Sequence, residues 1–121
     1  MPDRNILDDF IATVVSGRYD EAIERFYSLE ASMQENLDPP RSGRDGLVAH
    51  ERGVMTAFKS ITATCVPPVL VDGDRVVIRW IFTFERVDGG TMRMDELAYQ
   101  RWDGNKIAEE RFYYDPKQLL G

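Results

Sequence analysis

The stretch RVVIRWIFTFE, Arg75 to Glu85, decides the fold. Alternation along it puts Val76, Ile78, Trp80, Phe82 and Phe84 on one side and Val77, Arg79, Ile81, Thr83 and Glu85 on the other. That is the pattern of a strand with one face toward a core. Asp72-Gly73-Asp74 before it, Asp88-Gly89-Gly90 after it and Asp103-Gly104-Asn105 further on are turn signals made of residues that tolerate positive φ. They divide the second half of the chain into four strands, roughly Thr62 to Val71, Arg75 to Val87, Thr91 to Trp102 and Lys106 to Asp115. The four form an antiparallel meander, and Pro67-Pro68 requires an edge position or a bulge in the first of them.

Upstream the period changes from two to that of a helix. Ile6, Leu7, Phe10, Ile11, Val14 and Val15 make an apolar stripe from Asn5 to Ser16, ended by Gly17. A shorter helix begins near Asp20, the expected cap, and buries Ala22, Ile23, Phe26 and Tyr27, forming a hairpin with the first. Ala31 to Leu37 alternates as a short strand that stops at Pro39-Pro40. A third helix is expected from about Arg44 to Phe58, capped by Ser42 or Asp45, with Leu47, Val48, Val54, Met55 and Phe58 inward. Helices followed by a long meander imply an α+β domain in which one sheet packs on the helices.

With 121 residues and 43% apolar content, the chain suits a single domain, 1–121, with one core. Acids outnumber bases 21 to 15, and no stretch concentrates Lys and Arg as a phosphate backbone requires, so nucleic acid is not an expected partner. The opening MPDRNILDDF lacks the basic start and apolar run of a secretion signal, and no segment approaches the length of a membrane span. A cytoplasmic protein without membrane association is expected, and the single Cys65 suits a reducing compartment. No Gly-rich phosphate loop, nucleophile elbow or paired-cysteine motif occurs, and one histidine, His50, cannot build a His-rich metal site. No cofactor and no metal are expected.

The helix hairpin, the meander and the closing run Glu109-Glu110-Arg111-Phe112-Tyr113-Tyr114-Asp115-Pro116 together resemble the nuclear transport factor two-like superfamily over nearly the whole chain. The closing run, after the turn Gly104 to Ile107, is most similar to SnoaL-like domains. This resemblance implies a cone: a curved antiparallel sheet wrapped around the N-terminal helices, a cystatin-like α+β barrel with an internal pocket. It also implies a homodimer through the outer sheet face, where Arg79, Glu85, Arg93, Asp95, Arg101, Glu109 and Arg111 form a ladder of mixed sign and Ile81 and Tyr99 lie among them. Fold similarity does not fix activity, because the superfamily includes isomerases, cyclases, epoxide hydrolases and binding proteins.

Against ketosteroid isomerases, a gapless match through Ile23, Phe26 and Tyr27 places the carboxylate base at Glu35, which shares a strand face with Met33 and Leu37 and is expected to point inward. The two oxyanion donors of those enzymes would fall at Phe10 and near Ala98, neither of which donates a proton, so the steroid mechanism does not transfer; Glu96 and Gln100 on the same face offer other polar groups. Against limonene epoxide hydrolases, Glu85-Arg86-Val87-Asp88 resembles one part of the catalytic set, but Asp88 opens a turn and a required acid aligns with Phe112. SnoaL-like cyclases imply an apolar cavity with few polar groups. Trp80, Phe82, Phe84, Met94, Phe112 and Tyr114 would supply its walls, and Glu35, Glu96, Gln100 and Glu110 its inward polar groups. The expected ligand is a small hydrophobic molecule, handled by cofactor-free proton transfer on a carbonyl compound with Glu35 as base, or bound without catalysis. A third reading makes the chain a dimeric interaction module.

Overall fold

A computed structural model describes residues 1–120. Two helices, α1 (Arg4–Val15) and α2 (Tyr19–Phe26), lead into strand β1 (Tyr27–Glu35). After the two-residue strand β2 (Arg41–Ser42) come helix α3 (Arg44–Ala57) and the strands β3 (Ser60–Asp72), β4 (Arg75–Glu85), β5 (Thr91–Asp103) and β6 (Lys106–Tyr113). The six strands make one sheet in the order β2-β1-β6-β5-β4-β3. The expected meander is its larger part, antiparallel throughout. β1 instead runs parallel to β6, so the sheet is mixed. The α+β class and the curved sheet against N-terminal helices agree with the sequence reading.

Helix α1 buries Leu7, Phe10, Thr13 and Val14, and α2 buries Tyr19, Ala22, Ile23 and Phe26. Phe10 is the hub: its ring meets Phe26, Tyr27 and Trp102 edge-on at centroid distances of 5.6, 6.2 and 5.9 Å. Burial of each such side chain is worth about 1.5–3 kcal/mol, with edge-to-face contacts adding to it. The chain reverses between α1 and α2 at Gly17, whose φ of 87° a residue with a Cβ seldom adopts.

Several local expectations change. Tyr27 opens β1 rather than closing α2, and β1 ends at Glu35 because Asn36 takes a left-handed φ of 49°. Leu37 therefore leaves the strand face it was assigned and lies exposed. Ser42 and Asp45 cap no helix: α2 and α3 start from Arg18 and Gly43, neither of which caps through its side chain. Asp20, inside the first turn of α2, accepts from the free amide of Glu21 at 2.9 Å, and its other oxygen meets Arg52 of α3 at 3.1 Å, tying the helices together. Pro67-Pro68 satisfies both conditions set for it, since β3 is an edge strand and its pairing with β4 is irregular between Val66 and Leu70.

A second irregularity fixes the interior. Pairing of β5 with β6 shifts between Arg101 and Trp102, so that Trp102 faces Ile107 while Arg101 faces Glu109. The extra residue lets both Ile107 and Glu110 point into the core despite being three apart. On β4 and β5 the inward set is Val76, Ile78, Trp80, Met92, Met94, Glu96, Ala98, Gln100 and Trp102. Among the described residues no helix is long and apolar enough to cross a membrane.

Candidate functional site

The cone holds a half-open cavity of about 180 Å³ between the helices and the concave sheet face. Cavities of similar size hold a ring of the size of benzene, so this is room for a compact organic ligand. Trp80, Phe82 and Phe84 of β4 form one wall, Met94 and Glu96 of β5 the next, Glu110 and Phe112 of β6 the third, with Tyr27 and Glu35 from β1. Helices α1 and α2 close the cone with Phe10, Val14, Tyr19 and Ile23. Eight of the residues singled out from the sequence, Glu35, Trp80, Phe82, Phe84, Met94, Glu96, Glu110 and Phe112, thus line one cavity.

Two do not. Gln100 is wholly buried one step behind the wall, where it donates to Glu110 Oε2 at 2.6 Å and accepts from Trp102 Nε1 at 2.9 Å. Tyr114 lies beyond the end of β6, outside the lining, with its hydroxyl 3.4 Å from Glu35 Oε1. Both were counted as inward from parity alone. Tyr114 follows the last paired residue of β6, and Gln100 is covered by Glu110, its cross-strand partner.

Four carboxyl groups meet around this space, and their surroundings differ. Glu35 is held at the end of β1 by Asn36, whose N–H donates to the carbonyl of Phe112 at 2.8 Å and whose own carbonyl and side-chain oxygen accept from Arg111 and from the Tyr114 amide. Its carboxylate faces Arg41 Nη2 at 3.4 Å. Glu110 is fully enclosed and accepts from Gln100 and, on its other oxygen, from the Tyr27 hydroxyl. Burial raises its pKa to about 7 against the lowering effect of those two donors, and pushes the Tyr27 hydroxyl well above its usual value.

Glu96 has neither device. It is 8% exposed, and no hydrogen bond or ion pair holds its carboxyl among the described residues. Desolvation first, then the proximity of Glu35, Glu110 and Glu51, raises its pKa to about 8, so the group is mostly neutral at pH 7. The fourth carboxyl, Glu51 of α3, is raised to about 7 by burial, partly offset by Arg41.

Glu51 and Arg41 line the cavity and were missed in the sequence, and His50, expected beside the apolar stripe of the third helix, lines it too. Glu51 falls between Leu47, Val48, Val54 and Met55 on the inner stripe of α3, and an acid on an apolar stripe is a signal that could have been read. Arg41 offered none, since β2 exists only through its pairing with β1. His50 is exposed at the rim. Cys65 sits on β3 with burial raising its thiol pKa, which leaves it a poor nucleophile.

A curved sheet closing on helices around a cavity of mixed aromatic and acidic character defines a nuclear transport factor two-like domain. Solved structures share it: a protein from Mesorhizobium loti assigned as a SnoaL-like polyketide cyclase aligns with TM-score 0.76 at 22% identity, over 91% of this chain and 97% of its own. A hypothetical protein from Catenulispora acidiphila with a ketosteroid isomerase-like fold, solved in complex with trimethylamine, gives 0.80 at 14% identity over 97% and 90%. An NTF2-like protein of unknown function from Burkholderia pseudomallei gives 0.80 at 12% identity over 96% and 92%. At these identities the likeness concerns the fold. Among curated proteins none matches. The SnoaL-like domain family matches residues 7–110, and the chain belongs to that family.

Proposed function

We propose that the cone is a small-molecule site for cofactor-free proton transfer on a compact carbonyl compound, with Glu35 as the base and Glu96 as the acid that faces the carbonyl oxygen. The observation that carries this reading is Glu96: a buried carboxyl with no protein partner, lining the same cavity as a second carboxyl, Glu35, that does have one. A neutral carboxylic acid donates a hydrogen bond that strengthens as charge develops on an enolate oxygen. Glu35, in its carboxylate form beside Arg41, removes the proton from the carbon next to that carbonyl. Return of the proton from Glu35 to a different carbon of a conjugated enolate completes an isomerisation; in a cyclisation the enolate carbon attacks a second carbonyl of the same molecule, the first carbonyl re-forms, and the abstracted proton goes to the new alkoxide.

Glu96 thereby takes the part that an aspartate near Ala98 would play in a ketosteroid isomerase, two residues along the same face of β5. The size of the site limits the substrate. Drug-sized ligands occupy roughly 300–1,000 Å³, so a cavity of about 180 Å³ suits a substrate well below that size. The trimethylamine accompanying the Catenulispora acidiphila neighbour is of such a scale and supports reading the cone as a site for ligands of few atoms.

The test is a panel of compact ketones and enones offered to wild type and Glu35→Gln. Turnover by wild type, and its loss by a factor on the order of 10²–10⁴ in the variant with binding retained, is the required outcome. Equal turnover by both removes Glu35 from the base role. Binding without turnover in wild type favours the second reading, a noncatalytic receptor for a hydrophobic metabolite, which the aromatic walls support equally.

We also propose that a second copy covers the outer sheet face. Leu97, Tyr99 and Tyr113 are exposed there on neighbouring strands, between the Arg79–Asp95 pair at 2.6 Å and the Arg101–Glu109 pair at 3.3 Å. Aromatic groups ringed by charge are the composition of an interface centre and rim.

A further inference from the structure

We infer that the cavity binds a compact organic cation, an alkylammonium or quaternary ammonium group, by seating it between Glu96 and the Trp80–Phe82–Phe84 wall. The inference goes beyond the carbonyl chemistry and does not depend on Glu35 being a base.

It starts from what each charged group around the cavity already touches. Four carboxyls, Glu35, Glu51, Glu96 and Glu110, line the space with one guanidinium, Arg41, and the rim imidazole of His50. Arg41 faces Glu35 through Nη2 at 3.4 Å, and its Nη1 is buried without a partner. Glu110 has both oxygens engaged by Tyr27 and Gln100. Two carboxyls open on the cavity with their acceptor capacity unused, Glu51 half-buried on α3 and Glu96 on β5, and Glu96 is the more deeply buried. An anionic ligand would face carboxyls from β1, β5, β6 and α3 with Arg41 as the one guanidinium among them, whereas a cation would supply the charge Glu96 lacks.

The rings make the same choice. Trp80, Phe82 and Phe84 occupy alternate positions of β4, with successive centroids 5.9 and 6.1 Å apart and planes tilted by 36°. Aromatic faces attract a cation within about 6 Å of the centroid. Guanidinium groups of this protein do cover rings, but those of Phe26, Tyr99 and Tyr113, none of which lines the cavity. No cation of the protein occupies the cavity rings, although Phe58 packs on Phe84 at 4.9 Å and Tyr19 meets Phe82 edge-on at 6.1 Å. Among the described residues no three His, Cys, Asp or Glu side chains are placed to hold a metal ion. A carbon-rich cation fits better, because it is weakly hydrated, needs no ligand polyhedron and fills apolar space.

Binding of this kind is linked to protons. Glu96 is faced by Glu35 and Tyr27 from β1, Glu110 from β6, Tyr114 beyond it, and Glu51 from α3, with Arg41 and His50 at the rim. With Glu96 protonated near neutrality, a cation that pairs with its carboxylate must displace the proton, and affinity rises with pH until the free group is ionised. The same displacement removes the hydrogen-bond donor needed by a carbonyl ligand, so the cation also competes with that chemistry.

Choline and its uncharged isostere 3,3-dimethylbutan-1-ol separate charge from shape. Calorimetric titration of wild type with each, at constant ionic strength between about pH 6 and pH 9, should show choline bound at least tenfold more tightly than the alcohol at the upper end. Choline affinity should climb by up to roughly tenfold per pH unit until about pH 8, and alcohol affinity should not. Glu96→Gln should bring choline to within about threefold of the alcohol and flatten its pH profile, while Glu51→Gln should retain the preference. Equal binding of the two ligands by wild type, no choline binding at about 10 mM, or a pH slope that survives in folded Glu96→Gln overturns the inference. Choline binding by Glu35→Gln keeps this result separate from the fate of the base assignment.

Discussion

Replacing Glu96 by Gln should change how stability depends on pH, in a direction the structure fixes. The carboxyl loses its water on folding and acquires acidic neighbours, so its pKa moves from 4.5 to about 8. A raised carboxyl binds more protons in the folded chain than in the unfolded one. Its favourable contribution is complete below about 4.5 and is lost as pH climbs through about 8. At about 1.4 kcal/mol per unit the shift corresponds to on the order of 5 kcal/mol above that range, an upper bound because the group is not wholly dry. Glu51 and Glu110, each raised to about 7, act in the same direction and keep the wild-type curve falling over the lower part of the window. Gln has the shape of the neutral acid and cannot ionise. Glu96→Gln should therefore lie within about 1 kcal/mol of wild type at pH 5 and be more stable by on the order of 2–4 kcal/mol at pH 9. Urea unfolding followed by the fluorescence of the buried Trp80 and Trp102 measures the difference. Stability curves that stay parallel across that range would refute the reasoning.

Gln100→Ala leaves Glu110 Oε2 and Trp102 Nε1 without their partner in a dry core, and should cost on the order of 2–4 kcal/mol in chemical denaturation; a loss below about 1 kcal/mol would mean that water replaces the amide. Phe10→Ala removes the ring that three others contact and should destabilise by about 3–5 kcal/mol, read from the same unfolding experiment. Tyr99→Glu or Ile81→Glu on the outer face should yield monomers in sedimentation velocity while the circular dichroism spectrum is kept; a dimer that persists in both variants would mean that the chains associate elsewhere.

The meander was legible because its signals are local: alternation on Arg75 to Glu85 and three positive-φ turns set the strands before any tertiary contact is known. The cavity wall followed from parity on β4 and β5, which pair without a break. Parity failed where the backbone departs from regular pleating. Asn36 turned Leu37 out of its strand face, and on β6 Ile107 and Glu110 share an interior that alternation alone would not give them. Glu35 reached the cavity because it is the last residue before the first of these departures. Its partner Arg41 was illegible, since a two-residue strand carries no period and its place depends on pairing with β1. Which carboxyl is deprived of partners was also beyond sequence reasoning. Glu96 and Glu110 share the inward side, and only the positions of Tyr27 and Gln100 show that the second is satisfied and the first is not.

Deuterium incorporation at the carbon next to a ketone, followed by proton NMR in D₂O, tests the central claim most directly because it detects proton abstraction without requiring the physiological product. Wild type should exchange the α-protons of a compact ketone near neutral pH. Glu96→Gln should slow exchange, and Glu35→Gln should reduce it by a factor on the order of 10²–10⁴ with the ketone still bound. Exchange by Glu35→Gln at the wild-type rate, or bound ketone that wild type never exchanges, would contradict the claim that this cone moves protons through Glu35.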